Sequence, residues 1–186
     1  MGDSILTEIL ARYQRGVLPD HFKNFFKSIT FTNGGMRYDL IDFRLSQILL
    51  MSPIGETLNK LSSRNFKGRS DQMGKAQLAT VWSPSYKDEA QKVKDIRHIQ
   101  MLNKYRGGSD ITYKTISYLH DRARFEKRWL KSLSQLKMPI QLMWGNEDAV
   151  SPMTIPASLA EIINKEFLTV KTMDKTGDFC QTINEK

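Results

Sequence analysis

The stretch Pro139-Ile-Gln-Leu-Met-Trp144-Gly-Asn-Glu-Asp148-Ala-Val-Ser-Pro152 decides the reading of this chain. A short apolar run stops at Gly145 and gives way to a carboxylate-bearing loop. Such a run reads as a buried strand that ends in a turn. Side chains just past the carboxyl end of a central α/β strand are where chemistry is placed. Asp148 is therefore the first candidate for a catalytic carboxylate.

Working outward, Thr154–Asn164 reads as a helix with Pro156 tolerated in its first turn. Phe167–Met173 reads as a strand with alternating apolar residues. On the other side, residues 38–136 carry an almost wholly helical signal. Leu40–Met51 is apolar up to Pro53, Ile54–Leu61 is short and amphipathic, and Asn65–Gly74 is polar and reads as a loop. Gln77–Trp82 suggests one or two turns. Lys87–Asn103 carries Val93, Ile96 and Ile99 on a charged background. Gly107-Gly108-Ser109 breaks the pattern, and Asp110 opens a helix to about Asp121, whose apolar face continues through Phe125, Trp129 and Leu133. Ahead of this block, Ile5, Ile9 and Leu10 form the stripe of a helix that Asp3 or Ser4 would cap and Gly16 would stop. Phe25–Phe31, rich in β-branched and aromatic residues, reads as a strand ended by Asn33-Gly-Gly35. The order helix–strand, helical block, strand–helix–strand reads as a parallel α/β sheet with a helical insertion.

The 186 residues suffice for one medium domain, and 40% are hydrophobic, enough for a core. No apolar run approaches the ~20 residues that cross a bilayer, and the start lacks the charge and apolar pattern of a signal peptide. A single cysteine, Cys180, excludes an internal disulfide framework and a cysteine zinc site. The net charge is +8, with 17 Lys/Arg against 7 Asp/Glu between Arg64 and Lys137. Solvated helix faces account for that excess, and the absence of zinc-finger spacing and aromatic RNA-binding strands argues against nucleic acid.

Four segments together resemble the α/β-hydrolase superfamily, in its branch of epoxide hydrolases, haloalkane dehalogenases and mesoderm-specific transcript proteins. Phe31-Thr-Asn-Gly-Gly35 is similar to the end of the sixth sheet strand. Arg124-Phe-Glu-Lys-Arg-Trp129, with Met138-Pro139, is similar to the helix that returns to the core. Trp144–Pro152 is similar to the acid loop after the seventh strand. Gly177-Asp-Phe-Cys-Gln181 is similar to the family's Gly-His-Phe-x-Gln.

The resemblance implies a partial fold, its last three parallel strands, the sixth to the eighth, with flanking helices and a large helical cap. Residues 1–36 and 125–186 would be core and 37–124 the cap. It implies hydrolysis of ester, epoxide or carbon–halogen bonds in a small molecule through a covalent intermediate, with no metal or organic cofactor. Such chemistry needs a nucleophile on a strand-to-helix turn, a histidine and a carboxylate that orients it. Asp148 takes the acid position. Asp178 stands in the base position, where it cannot relay a proton as imidazole does, and His21, His98 and His120 read as solvated. Aligned on Gly2-Asp3-Ser4, the nucleophile would precede Met1, so an inactive, truncated chain is expected. Ser4 as the centre of a Gly-x-Ser-x-Gly turn fails at Leu6. The sixth strand would present an edge that invites self-association. A non-catalytic protein whose basic cap binds an acidic partner or a lipid surface is the alternative. For location, the resemblance leaves cytoplasm and endoplasmic-reticulum association both open.

Overall fold

The computed structural model describes residues 1–22, 25–65 and 82–178. The expected turns at 77–81, most of the expected 65–74 loop and the Phe179–Gln181 part of the last motif lie outside the described residues.

Three strands form the sheet. β1 (Ile29–Thr32), β2 (Ile140–Gly145) and β3 (Leu168–Met173) lie side by side in that order. All pairings are parallel, with Ile29 opposite Ile140 and Ile140 opposite Leu168. β2 is central, as its continuous apolar run requires. Ile140, Leu142 and Trp144 point to one face and are buried, and they meet Ile29 and Phe31 of β1. The outward residues of β1, Thr30 and Thr32, are exposed.

Helix α1 (Gly2–Gln14) contributes Leu10 to that core. Between β1 and β2 the described chain is helical. It runs through α2 (Leu45–Met51), α3 (Gly55–Asn65), α4 (Glu89–Lys104), α5 (Thr112–Ile116) and α6 (Tyr118–Ser134). The last of these packs along α1 and adds Leu133 to the core. Helix α7 (Thr154–Ile162) follows the acid loop and adds Ile155 and Leu159. The partial parallel sheet with flanking helices expected from the sequence is thus present.

Several boundaries differ from the sequence reading, each for a local reason. Phe25 is exposed and lies before β1, in an aromatic cluster with Phe22 and Phe26. β-propensity there reflects ring packing rather than a strand. The apolar run from Leu40 is helical only from Leu45, because Asp42 N–H is bonded instead to the Val150 carbonyl at 3.0 Å. That bond carries Ile41, Phe43 and Arg44 to the acid loop. Asp3 and Ser4 lie inside the first turn of α1, whose N-cap is Met1 with no side-chain cap. Their side chains turn to Arg122 instead. Val170 in β3 is 45% exposed, so the apolar alternation of that strand does not correspond to burial.

Gly145 closes β2 at a place that admits no side chain. A Cβ there would fall 2.3 Å from the Gly177 carbonyl oxygen and 2.4 Å from that of Thr176. Gly145→Ala is therefore expected to push the 176–178 turn away and destabilise the chain by about 2–3 kcal/mol, the range of overpacked sites. A denaturant midpoint unchanged from the parent would contradict this close approach.

Candidate active site

The carboxyl end of β1, the loop after β2 and the turn after β3 converge on one cavity of about 430 Å³. Asp148 is 7% exposed and is bonded to the amides of Val150 and Ser151, which line the cavity. Its Oδ1 accepts the amides of Val150 (2.8 Å) and Ser151 (3.0 Å), and its Oδ2 accepts Asn33 Nδ2 (2.6 Å). The two amide bonds fold the acid loop back on its own carboxylate, as short Asp-led turns do. Trp144 Nε1 donates to the Ser151 carbonyl at 2.8 Å, so the core tryptophan anchors the far side of the same loop.

Asn33 joins the two strand ends. Its Oδ1 accepts Gly145 N–H at 3.0 Å while its amide serves Asp148. Its φ of 28° is positive, a backbone that asparagine tolerates better than most residues. The sequence reading took Asn33 only as a strand terminator. Its position directly after a strand of a parallel sheet was the available signal for a site role.

Asp178 sits on the cavity wall, brought there by the turn that Gly145 accommodates. The Thr176 carbonyl accepts Glu147 N–H at 2.8 Å, which ties this turn to the acid loop. Burial and then the Asp148 charge push the Asp178 carboxyl up to about 6, with Arg44 opposing. Burial lowers the pKa of Arg44, which also lines the cavity, while the charges of Asp178 and Asp148 oppose that shift. The structure thus brings Asp148 and Asp178 into one electrostatic site.

Tyr118, at the start of α6, also lines the cavity, and burial, then Asp3, push its phenol up to about 12. It is a neutral hydroxyl at ordinary pH. Below it lies a fully buried cation, Arg122. Its Nη2 donates to Ser4 Oγ (2.9 Å) and Asp3 Oδ2 (3.3 Å), its Nη1 to the Met36 carbonyl (3.4 Å), and its guanidinium stacks on Trp129 at 4.5 Å. Ser4 is thus a buried partner of Arg122. Arg122 escaped the sequence reading, although it lies on the apolar stripe Leu119, Trp129, Leu133 of α6, where a charge stands out.

The three histidines are all exposed and none lines the cavity. His21 stacks near Phe22, His98 is on α4, and His120 Nε2 lies 3.2 Å from the Met51 carbonyl.

No family model matches the chain. LipZ of Mycobacterium tuberculosis, assigned as a hydrolase, is 28% identical over 162 residues, which are 87% of this chain and 51% of LipZ. The chain therefore spans about half the length of the curated relative it matches. Among solved structures, BpoC of Mycobacterium tuberculosis, assigned as a non-heme bromoperoxidase, aligns with a TM-score of 0.54 at 13% identity, over 95% of this chain and 56% of BpoC. An α/β-hydrolase-fold protein of Burkholderia ambifaria aligns with a TM-score of 0.51 at 17% identity, over 95% and 57%. A serine hydrolase of Cycloclasticus zankles gives 0.52 at 13%, over 97% and 56%. With its parallel β1–β2–β3 order and an acid loop leaving the central strand, the chain adopts the α/β-hydrolase fold, in a three-stranded part with its flanking helices.

Proposed function

We propose that this chain carries the acid-bearing part of a small-molecule hydrolase site of the epoxide-hydrolase and dehalogenase branch, and that it does not itself hydrolyse ester, epoxide or carbon–halogen bonds. One observation carries the reading. Asp178 lines the cavity beside Val150 and Ser151 of the acid loop and feels the Asp148 charge, while every histidine of the chain is exposed and elsewhere. In hydrolases of this kind a carboxylate orients an imidazole, which takes a proton on one nitrogen while its other N–H is held. Asp178 ionised has no N–H for Asp148 to hold, and the two carboxylates repel. Asp148 in this reading is the acid of a triad, kept in place by Asn33 and the loop amides. Residues 37–124, whose Arg44 and Tyr118 reach the cavity, act as its cap.

The test is turnover of a p-nitrophenyl ester series by the purified chain, with Asp148→Ala as control. The expected result is no Asp148-dependent release of nitrophenol. Turnover that disappears on Asp148→Ala would overturn the inactive reading.

A second reading rests on a separate observation. Met101, Leu102 and Tyr105 are 68%, 73% and 67% exposed beside Lys104 and Arg106. Apolar side chains among cations suit an anionic lipid surface. On this reading the chain co-sediments with anionic vesicles at low salt and is released as salt screens the attraction. Failure to bind at low salt excludes it.

A further inference from the structure

The cavity lining contains both apolar and charged side chains. The apolar part is formed by Leu6, Phe31, Ile41 and Phe43. The charged part of the lining holds Arg44 and Asp178, with Asp3 and the terminal ammonium at the start of α1. Arg44 is led into place by the Asp42 to Val150 hydrogen bond, and its own backbone N–H is held by Gln47 Oε1 at 2.8 Å. The guanidinium therefore starts from a fixed point at the head of α2.

We propose that this cavity binds a small amphipathic carboxylate, with its charged head at Arg44 and Asp178 and its apolar body against Leu6, Phe31, Ile41 and Phe43. This deepens the reading above, on which it rests for the identity of the cavity as the ligand site. It names the ligand as an organic acid rather than an ester to be cleaved.

The chemistry of the walls favours that class. A guanidinium pairs with a carboxylate through charge-assisted, bidentate hydrogen bonds. A neutral carboxylic acid donates one O–H, which a second carboxylate accepts. An uncharged ester or amide can accept the Asp178 O–H through its carbonyl but carries no charge to pair with Arg44. The volume of about 430 Å³ lies within the range of small-ligand sites.

Binding is then coupled to a proton. The charges that face Asp178 are Asp148 in the acid loop, Arg44 at α2, and Asp3 and the terminal ammonium at the start of α1, with the neutral Tyr118 phenol from α6 nearby. An arriving carboxylate adds negative charge to this set, so it favours the protonated form of Asp178. Affinity must therefore rise as pH falls through the range in which Asp178 takes up its proton.

The experiment is calorimetric titration of the full chain with phenylacetate and, as the neutral isostere, phenylacetamide, at about pH 5.5 and about pH 8. The acid is expected to bind at least about tenfold more tightly at the lower pH, with the amide weaker and less dependent on pH. Arg44→Gln is expected to weaken the acid about tenfold or more and spare the amide. Asp178→Asn is expected to flatten the pH dependence while leaving binding measurable. Equal affinity for acid and amide, an unchanged Kd in Arg44→Gln, or no binding of either compound would each overturn the proposal. Asp148-dependent ester turnover with selective acid binding would instead overturn only the inactive reading, so the two failures are distinguishable.

Discussion

Arg122→Met is expected to lower the unfolding free energy by about 3–5 kcal/mol, the scale for breaking a buried ion pair from one side. The methionine keeps much of the volume and can still lie on Trp129. What it removes is the only positive charge hydrogen-bonded to Asp3 among the described side chains, apart from the terminal ammonium 3.4 Å away. Asp3 is 9% exposed in its side chain, so its charge is left largely without water. Ser4 and Thr7 lose a donor at the same time. The double variant Asp3→Asn with Arg122→Met is expected to recover part of the loss, because it removes the stranded carboxylate. Chemical denaturation of the parent and the three variants gives the coupling directly. Additive single effects would mean that Arg122 acts through packing on Trp129 alone. The consequence for the site is positional. Arg122 fixes the first turn of α1, which lines the cavity, and the Met36 carbonyl next to the lining residue Gly35.

Asp178→Asn is expected to act in the opposite direction and stabilise the chain at neutral pH. An ordinary aspartate in the unfolded chain ionises near about 3.9, whereas in the fold this carboxyl does so at about 6. Below about pH 4 both states hold the proton and the group is neutral to stability. Between about 4 and 6 the unfolded chain releases the proton first, and the fold loses relative stability as pH rises. Above about 6 that loss is complete and constant. The gap corresponds to at most about 3 kcal/mol at 1.36 kcal/mol per pH unit. Partial access to water and the lost attraction to Arg44 reduce the expected gain to about 1–2 kcal/mol. The gain should be full at pH 7 and fade as pH falls from 6 to 4. A variant less stable than the parent at pH 7, or a gain that does not fade in acid, would contradict the buried, Asp148-facing position of this group.

The strands were legible because their apolar residues have nowhere else to go. Ile140, Leu142 and Trp144 spell the centre of the sheet, and Gly145 followed by a carboxylate spells its end. Asp148 could be found from that pattern alone. The two partners of its carboxylate and of Gly145 on Asn33 could not, since an asparagine before two glycines reads first as a turn. Arg44 and Tyr118 were hidden for another reason. They reach the cavity from the helical block, and only the long-range bond from Asp42 to Val150 and the start of α6 bring them there. Local periodicity carries no trace of such contacts. Asp3 and Ser4 illustrate a competition between local and tertiary demands. Their residue types favour a cap, but a buried guanidinium is the stronger partner, so the helix begins one turn earlier than its capping pattern suggests.

Central to the proposed function is that the Asp178 carboxyl is buried within reach of the Asp148 charge. The most direct measurement is an NMR pH titration of the Asp178 side-chain carboxyl in the intact chain and in Asp148→Asn. The expected midpoint is about 6 in the parent, with a clear fall toward the ordinary aspartate range when the Asp148 charge is removed. A midpoint near about 3.9 in the parent, or one that does not move in Asp148→Asn, would contradict it.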